Sequence, residues 1–420
     1  MEKLPTPSYQ LPIRKIGIDA SRAFLKKRTG IEEYSYQVIK HLRDALPSDA
    51  NVTLYVRKKL EIGNWKLEIR TQDIDFQLPS NWTVRALWAP RLWTQVRLSL
   101  EMLLHPVDVL FIPAHTVPVI HPRRTVVTIH GLEYEFSPES YSWYERFYMR
   151  FSIRNSVRWA TSVIAVSENT QRDLVRRYQV PAEKITVIYE GVERIMDDGR
   201  WKLETESQEN HLIPIFQHLS SPYFLFIGRV EERNNVARIV EAFESFKQKT
   251  GLPHKLLLAG KPGYGYEEIK NKIEKSKYRD QIQELGYITE DKKWELLRGA
   301  ETLLFPSLYE GFGLPILEAQ QVGTPVITST TASLPEIAGE GALLVDPVKT
   351  EALTEAMAKL ATDPVLRADI IDKATQNVDR FSWATCVRKI EILLFLSKER
   401  LLSTAPPEHP VKDSSGEEAD

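Results

Sequence analysis

Two carboxylates and two glycines make the stretch Tyr309–Glu318 the part of the sequence whose residue types could do chemistry. Glu310 and Glu318 have seven residues between them. Gly311 and Gly313 allow a tight turn in which the main chain approaches a ligand closely, because glycine has no Cβ atom. Carboxylates accept hydrogen bonds from sugar hydroxyl groups, so Glu310 is a candidate ligand of a sugar and Glu318 of a cis-diol such as ribose. The stretch therefore suits a nucleoside diphosphate sugar.

A buried strand and a helix are the elements that must position this stretch. The apolar run Thr302–Phe305 predicts a parallel strand, and Pro315 with the apolar residues behind it predicts the start of an amphipathic helix. The first turn of a helix has unpaired amide groups and the positive end of the helix dipole, which together attract phosphate. We therefore expect a phosphate group to contact the backbone of four consecutive residues: Gly311, Phe312, Gly313 and Leu314.

Three further motifs follow the stretch, at Gly323–Ile327, Leu334–Ile337 and Gly341–Pro347. Together with Tyr309–Glu318 they resemble the donor site of the retaining glycosyltransferases of family 4, and in particular its bacterial mannosyltransferase-like members. The resemblance extends over most of the chain and is strongest in 226–350 and 125–192. It implies the GT-B fold, in which two Rossmann-like domains face each other across a cleft.

Short apolar runs alternate with longer amphipathic stretches along the chain, which predicts parallel strands joined by helices. The expected strands of a first sheet are Ile16–Ala20, Val52–Val56, Val84–Leu87, Val107–Ile112, Thr125–Ile129, Ser162–Val166 and Ile185–Tyr189. Those of a second sheet are Tyr223–Ile227, Lys255–Ala259, Ile282–Tyr287, Leu303–Phe305, Val326–Thr328 and Ala342–Val345. The fold class is therefore α/β with two doubly wound parallel sheets, and ligands bind such sheets beyond the carboxyl ends of their strands.

The domain boundaries follow from this alternation. We expect an N-terminal Rossmann-like acceptor domain over 1–192 and a C-terminal Rossmann-like donor domain over 218–380, joined by a charged linker over 193–217. The amphipathic segment 381–402 is expected to form a helix that crosses back to the first domain. Residues 403–420 have the composition of a disordered tail.

The composition favours a globular protein, with 42% hydrophobic residues, 27% charged residues and a formal net charge of −2. This balance gives no general attraction to nucleic acid or to membranes. The single Cys386 excludes an intrachain disulfide bond and fits a reducing compartment. Because the N-terminus shows no apolar signal segment and no run of about 18 apolar residues occurs, we expect a cytoplasmic protein.

The diphosphate of a donor needs positive charge, and the stretch Phe226–Asn235 resembles a second donor motif of the family. The family pattern has an Arg and, five residues later, a Lys; these positions hold Arg229 and Asn234 here. Fixed cations stabilise the negative charge that builds on a departing diphosphate. Asn234 supplies no charge, so Arg233 or Lys261 would have to replace the missing lysine.

The resemblance assigns three more positions. His130 ends a predicted strand and would contact the transferred sugar; the family usually has Asp after it, but this chain has Gly131, so no carboxylate role carries over. Gly30 precedes a predicted helix and would bring amides to a phosphate from the opposite side of the cleft. Ile288 would pack beside the base of the nucleotide.

No metal or other cofactor is expected, because helix dipoles and Arg229 can stabilise the charge that a cation would stabilise. Asp73 and Asp75 have the spacing of a metal-binding pair, but their alternating surroundings are typical of a solvated strand face. The substrate would be a GDP- or UDP-linked sugar.

Two stretches mix aromatic and basic residues. In Trp82–Leu104 the mixture could bind nucleic acid by stacking or line a carbohydrate site, but core packing is the favoured interpretation. The predicted helix 143–160 carries arginines at four-residue steps, namely Arg146, Arg150, Arg154 and Arg158. This basic stripe could lie against the anionic inner face of a membrane or be the solvated face of a core helix; both interpretations stay open.

The sequence thus predicts transfer of a hexose to a hydroxyl group of a glycan or lipid-linked saccharide, with retention of configuration. Glu310 and His130 would orient the sugar, and Arg229 would stabilise the diphosphate. A catalytically weak or silent relative that only binds nucleotide sugars is one alternative, motivated by Asn234. A sugar-nucleotide epimerase of the same fold is another, and a nucleic-acid-binding role is disfavoured by the charge balance.

Overall fold

The computed structural model describes residues 15–25, 28–58, 74, 76–88, 93–193 and 221–395. The predicted linker beyond Glu193, the end of the predicted last helix from residue 396, the predicted tail 403–420 and the pair Asp73 and Asp75 lie outside the described residues.

Seven parallel strands form the N-terminal sheet: β1 (Lys15–Asp19), β2 (Asn51–Lys58), β3 (Trp82–Trp88), β4 (Val109–Ile112), β5 (Arg124–Ile129), β6 (Ser162–Ala165) and β7 (Ile185–Val187). Their order across the sheet is β3-β2-β1-β4-β5-β6-β7. The order reverses at β1, where Ile16 lies opposite both Val52 and Val109. Such a reversal brings loops together at the carboxyl ends of the central strands.

Helices cover this sheet, and for this reason its central strands are apolar on both faces. They are α1 (Gly30–Ala45), α2 (Ser99–Leu104), which continues a π-helical segment (Trp93–Leu98), α3 (Glu133–Phe136), α4 (Trp143–Trp159) and α5 (Glu168–Tyr178). Short 3₁₀ turns occupy Pro138–Ser140 and Ala182–Lys184.

The second sheet has six parallel strands in the order β10-β9-β8-β11-β12-β13. They are β8 (Tyr223–Ile227), β9 (Lys255–Ala259), β10 (Ile282–Gly286), β11 (Thr302–Phe305), β12 (Val326–Ser329) and β13 (Leu343–Val345). The helices around it are α6 (Val236–Thr250), α7 (Tyr266–Lys275), α8 (Glu290–Gly299), α9 (Leu314–Gln321), α10 (Leu334–Ala338), α11 (Thr350–Thr362) and α12 (Pro364–Val378), with a 3₁₀ turn at Arg279–Gln281.

The predicted α/β fold class is confirmed, and each of the thirteen predicted strands overlaps an observed one. Most strands were predictable because they are short, almost completely buried apolar runs between helical stretches. The edge strands β3, β7, β10 and β13 are only partly buried. Of the mixed aromatic and basic stretch, Trp82 and Trp93 are buried in the core, whereas Trp88 is half exposed.

Two buried apolar clusters contain side chains from both halves of the molecule. The last helix, α13 (Trp383–Phe395), places Trp383 and Ile390 in the same buried cluster as Ile39 and Leu42 of α1. A second cluster unites Val166 and Val192 with side chains of the C-terminal half, namely Phe312, Leu317, Ile337, Val378 and Phe381. These apolar contacts hold the carboxyl ends of the two sheets against each other.

Candidate active site

The turn of residues 309–313, called the glycine turn below, connects β11 to α9 and is fixed by its carbonyl groups. Ser333 Oγ donates hydrogen bonds to the carbonyl oxygens of Glu310 (2.8 Å) and Phe312 (2.7 Å). Ser167 Oγ, from the N-terminal half, donates to the carbonyl oxygen of Gly311 (2.7 Å). In a planar trans peptide the N–H group points away from the preceding carbonyl oxygen. The amides of residues 311–313 therefore point away from these serines, which leaves them oriented for another acceptor.

Glycine is required in this turn for two separate reasons. A Cβ atom on Gly311 would lie 1.6 Å from the carbonyl oxygen of His130, so the two halves touch main chain to main chain there. Gly313 has a φ of +116°, a conformation that other residues rarely adopt. The sequence predicted a tight turn near a ligand; the contact of Gly311 with the N-terminal half was not predicted.

Tyr309 also connects the turn to the N-terminal half. Its hydroxyl group donates a hydrogen bond to Asp173 (2.7 Å) and accepts one from the amide of Leu132 (3.2 Å). Its ring stacks on Phe136 with centroids 4.1 Å apart. The glycine turn therefore lies in the gap between the two sheets, where ligands of doubly wound folds bind.

Glu310 lies beside Arg233, and both side chains are mostly buried, with exposed fractions of 18% and 17%. Arg233 Nη1 is 3.2 Å from Glu310 Oε1 and donates a hydrogen bond to the carbonyl oxygen of Tyr309 (3.1 Å). Burial raises the pKa of Glu310 above its usual range, and Arg233 opposes that shift. The guanidinium thus holds both the carboxylate and the backbone next to it.

A second carboxylate, Glu231, holds the other side of the guanidinium. Its Oε1 atom accepts hydrogen bonds from Nη2 (2.9 Å) and Nε (3.2 Å) of Arg233. Its Oε2 atom is 3.4 Å from Nε of Arg229, whose side chain is largely exposed. The charge of Glu133 acts on both Glu310 and Arg233. Among the described residues, this group thus consists of two cations, Arg229 and Arg233, and three carboxylates.

Asn234, which stands where the family pattern has a lysine, is buried and turned away from the cleft charges. Its Nδ2 atom donates a hydrogen bond to the carbonyl oxygen of Arg229 (2.9 Å), and its Oδ1 atom has no partner among the described residues. Lys261 is exposed, with Nζ 5.0 Å from the centre of the Tyr287 ring. Arg233 contacts the glycine turn directly, and Arg229 shares the carboxylate of Glu231 with Arg233.

Glu318 lies on α9 and is paired with Lys293 of α8, with Nζ 2.6 Å from Oε1. Lys293 also reaches Glu290 (2.7 Å). Burial works against the charge of this ammonium group, but Glu318 and Glu290 outweigh it and raise the pKa of Lys293. Sequence reasoning missed Lys293, because no local pattern indicates that α8 packs beside α9.

His130 is buried at the carboxyl end of β5, with both ring nitrogens bonded inside the N-terminal half. Nε2 is 2.7 Å from the carbonyl oxygen of Pro113, so Nε2 carries a proton, because a carbonyl oxygen only accepts. Nδ1 is 3.2 Å from Glu190, and the edge of the ring meets Tyr34. The ring of His130 would have to give up one of these partners to form a hydrogen bond with a sugar. The predicted contact with the sugar therefore stays a prediction.

The remaining predicted residues take different positions. Gly30 begins α1, and a Cβ atom there would meet open space, but the first turn is capped by Glu32 and also carries Glu33. Two carboxylates in that turn count against a phosphate. Ile288 packs on the C-terminal core after β10. The side chains of Phe312 and Leu314 pack in the cluster between the halves, so only their backbone can contact a ligand.

Metal ligands are not grouped in the part of the chain that the structure describes: no three His, Cys, Asp or Glu side chains are placed to hold an ion together. The charged groups at the glycine turn are paired with arginine and lysine instead.

The GT-B class of glycosyltransferase folds has two α/β domains, each with a parallel sheet. In this chain the carboxyl ends of the two sheets meet at the glycine turn with its acidic residues, so the fold belongs to this class. The sequence matches the model of "Glycosyl transferases group 1" over residues 207–377 and that of "Glycosyltransferase Family 4" over residues 28–194. The chain belongs to glycosyltransferase family 4. The resemblance to this family that was inferred from the sequence motifs is confirmed.

Relatives agree with this assignment, and a solved structure agrees with the fold. The chain is 27% identical over 264 residues to O-antigen chain mannosyltransferase B of Escherichia coli, covering 63% of this chain and 68% of that protein. It is 25% identical over 269 residues to O-antigen chain mannosyltransferase RfbU of Salmonella typhimurium, covering 64% and 68%. The structure of HepE from Anabaena in complex with UDP-glucose has the same fold, with a TM-score of 0.65 and 17% identity over 93% of this chain and 100% of that one.

Proposed function

We propose that this glycosyltransferase moves a hexose, with mannose as the first candidate, from a nucleoside diphosphate sugar to a hydroxyl group of a glycan or lipid-linked saccharide. The two related O-antigen mannosyltransferases support the sugar and the kind of acceptor. The HepE complex with UDP-glucose supports a nucleotide sugar as the donor. For this chain we propose a GDP- or UDP-linked sugar. Transfer with retention of configuration is the mode that the family resemblance implies.

The observation that carries this proposal is the position of Glu310. Its carboxylate lies in the gap between the two sheets, next to the amides of the glycine turn and held by Arg233. A fixed, mostly buried acceptor suits a sugar hydroxyl group, because it loses little entropy when the substrate binds. Glu310 is assigned as a ligand of the sugar and not as a nucleophile.

The other parts of the donor are assigned to residues at the start of α9 and near it. The amides of residues 311–314 and the exposed Arg229 would bind the diphosphate, where negative charge develops as the bond to the sugar breaks. Glu318 would accept two hydrogen bonds from the ribose, and Lys293 holds its carboxylate in place. Ile288 would pack beside the base. Lys261 would supply the positive charge that Asn234 lacks. By this proposal no metal takes part.

A binding protein with weak or no transfer activity is the second candidate, and Asn234 is the observation that favours it. Asn234 is buried and uncharged where the family pattern has a lysine. With two cations facing three carboxylates, the stabilisation of a departing diphosphate is weaker than in relatives that have the lysine. This candidate predicts donor binding without turnover.

The test is to incubate the purified protein with a panel of GDP- and UDP-sugars and candidate acceptors and to quantify free nucleotide and glycosylated product. Glu310→Ala is expected to reduce transfer much more than it weakens nucleotide binding, measured by calorimetry. The matched control is Glu355→Ala, because Glu355 is an exposed glutamate on α11 of the same half. A transfer rate that Glu310→Ala leaves unchanged refutes the role of Glu310.

The same incubation separates the alternatives. Free nucleotide together with a glycosylated acceptor indicates transfer. Binding without release of nucleotide indicates a silent relative, and a changed sugar that is still attached to the nucleotide indicates an epimerase.

A further inference from the structure

Helix α4 of the N-terminal half carries a row of exposed aromatic side chains. Trp143, Phe147 and Phe151 follow one another at four-residue steps and are 80%, 64% and 57% exposed. Side chains at this spacing lie on one side of a helix. We call these three residues the aromatic ridge. Large apolar side chains that stay so exposed in a row are a mark of an interaction surface and not of a core.

Two arginines extend the same side of the helix. Arg154 and Arg158 lie three and seven residues beyond Phe151, are exposed, and form no ion pair with any residue whose position the structure gives. Arg150 instead pairs with Glu135, and Arg146 is only partly exposed. Of the four arginines in the basic stripe predicted from the sequence, Arg154 and Arg158 are therefore the two that are exposed without an ion pair in the described part of the chain.

The opposite side of α4 is anchored to the domain. Ser156 Oγ accepts a hydrogen bond from the amide of Val117 (2.9 Å), and Ser152 Oγ lies 3.0 Å from Thr116 Oγ1. Ile153 and Val157 pack in the core between these serines. The aromatic ridge is therefore held by a rigid helix and cannot be covered by a small shift of α4.

Other exposed apolar side chains of the N-terminal half lie on two further segments. The amide of Ile120 donates a hydrogen bond to Ser99 at the start of α2, which joins the exposed Val119 and Ile120 to α2. On α2 three leucines are exposed, namely Leu100, Leu103 and Leu104.

The N-terminal end of the ridge lies near the candidate active site. Tyr141 precedes α4 by two residues and is partly buried. Burial raises the pKa of Tyr141, and the charges of Glu133, Arg233, Glu231 and Arg229 also act on its hydroxyl group. Arg150 of α4 pairs with Glu135 of α3, and Phe136 of α3 stacks on Tyr309 of the glycine turn. Helix α4 therefore lies next to the short helix that borders the cleft.

We propose that the aromatic ridge, with Arg154 and Arg158, docks this protein on the surface of a bilayer that contains anionic lipids. Trp and Phe side chains are stabilised at the boundary between headgroups and acyl chains, and arginines beside them bind lipid phosphates. The arginines favour an anionic lipid surface over a second copy of this chain, whose ridge would carry the same positive charges. Docking on the ridge places the mouth of the cleft at the membrane surface.

This proposal does not rest on the glycosyl-transfer reaction and is tested without it. No helix in the described part of the chain is both long and apolar enough to cross a bilayer.

The experiment is co-sedimentation of the full chain with vesicles of phosphatidylcholine, with or without phosphatidylglycerol. We expect binding to the anionic vesicles, weaker binding at high salt because of screening, and little binding to neutral ones. The double variants Phe147→Ser/Phe151→Ser and Arg154→Gln/Arg158→Gln should each lower the bound fraction several-fold. Val365→Ser is the matched control, since Val365 is 78% exposed on α12 of the other half.

Three results would each overturn the proposal. One is wild-type protein that stays in the supernatant with anionic vesicles, and another is an aromatic double variant that binds as the wild type does. The third is a dimer in light scattering that the aromatic variant abolishes while vesicle binding is unchanged, because the ridge would then be a contact between copies. Circular dichroism on each variant verifies that α4 and the fold are retained.

Discussion

Arg233 and Glu310 form an ion pair of 3.2 Å between the first loop of the C-terminal half and the glycine turn. The same guanidinium donates to the carbonyl oxygen of Tyr309 and to Glu231, so it fixes the turn as well as the carboxylate. Arg233 is thereby a positioning residue for Glu310 and is already committed to carboxylates. It is a poor replacement for the cation that Asn234 does not supply.

The first prediction concerns this ion pair. Arg233→Met should lower kcat on the order of 100-fold, because a misplaced Glu310 no longer meets the sugar hydroxyl group. KM for the donor should change much less, because the diphosphate and ribose contacts do not involve Arg233. Steady-state kinetics with varied donor concentration measure both constants.

The control for this prediction is Arg233→Lys, which keeps the charge and should recover part of kcat. If Arg233→Met raises KM for the donor and leaves kcat unchanged, the positioning role is contradicted. Such a result would indicate that Arg233 binds the diphosphate directly. Thermal unfolding of both variants shows whether the fold is retained.

The second prediction concerns pH. Burial raises the pKa of Glu310, so this carboxyl group takes up a proton at a higher pH than an ordinary glutamate does. Only the ionised form accepts hydrogen bonds with both oxygens, so transfer should fall as the pH is lowered through this raised pKa. In Arg233→Met the opposing cation is missing, so the acid limb of the pH–kcat profile should move to higher pH.

The comparison variant for the pH profile is Arg233→Lys, in which the acid limb should stay close to that of the wild type. An acid limb at the same pH in the wild type and in Arg233→Met would show that another group controls the fall in rate.

The third prediction concerns Glu318. Glu318→Ala should weaken donor binding by about 30-fold, because a charged hydrogen-bond acceptor is worth about 2 kcal/mol. Calorimetric titration with the nucleotide sugar measures the change. Lys293→Met should give a smaller loss, since it leaves the carboxylate but removes the group that orients it. Equal affinity of the wild type and Glu318→Ala would exclude contact with the ribose.

The fourth prediction concerns the contact between the two halves. Gly311→Ala places a methyl group 1.6 Å from the carbonyl oxygen of His130, far inside van der Waals distance, so the halves must separate. We expect a lower kcat and a larger radius of gyration by X-ray scattering. Gly30→Ala is the control, because its methyl group meets open space. An unchanged radius and rate in Gly311→Ala would mean that this contact is absent in solution.

The fifth prediction concerns Asn234. Asn234→Lys should retain donor binding and raise affinity, because it adds a cation near Arg229 where carboxylates outnumber cations. It should also lower the free energy of unfolding by about 1 kcal/mol, since the hydrogen bond to the carbonyl oxygen of Arg229 is lost. The methionine of Asn234→Met is about as long as lysine but carries no charge. This variant should therefore lose stability without gaining affinity. Loss of binding in folded Asn234→Lys would mean that the diphosphate lies elsewhere.

The sequence was sufficient for features that depend on neighbouring residues. The strand before the glycine turn, Thr302–Phe305, is a buried apolar run, and Gly313 stands where a positive φ is needed. By contrast, the partners of Glu310 and Glu318 could not be predicted, because Arg233 and Lys293 come from distant loops and helices that meet only in the folded chain.

Side-chain direction was the other feature that the sequence could not supply. His130 lies at a strand end, as expected, but its ring is bonded to Pro113 and Glu190 within its own half. Asn234 likewise turns inward toward the backbone of Arg229. In both cases a buried polar group takes the hydrogen-bond partners that the fold offers nearby, and no sequence spacing specifies which ones these are.

The central claim is that the glycine turn and its two acids bind a nucleotide sugar for transfer. The most direct measurement is release of nucleotide from a panel of GDP- and UDP-sugars, with wild type, Glu310→Ala and Glu318→Ala compared at saturating donor. The account predicts turnover of at least one donor by the wild type, a loss of rate in Glu310→Ala and a loss of affinity in Glu318→Ala. Turnover that is equal in all three proteins would contradict it.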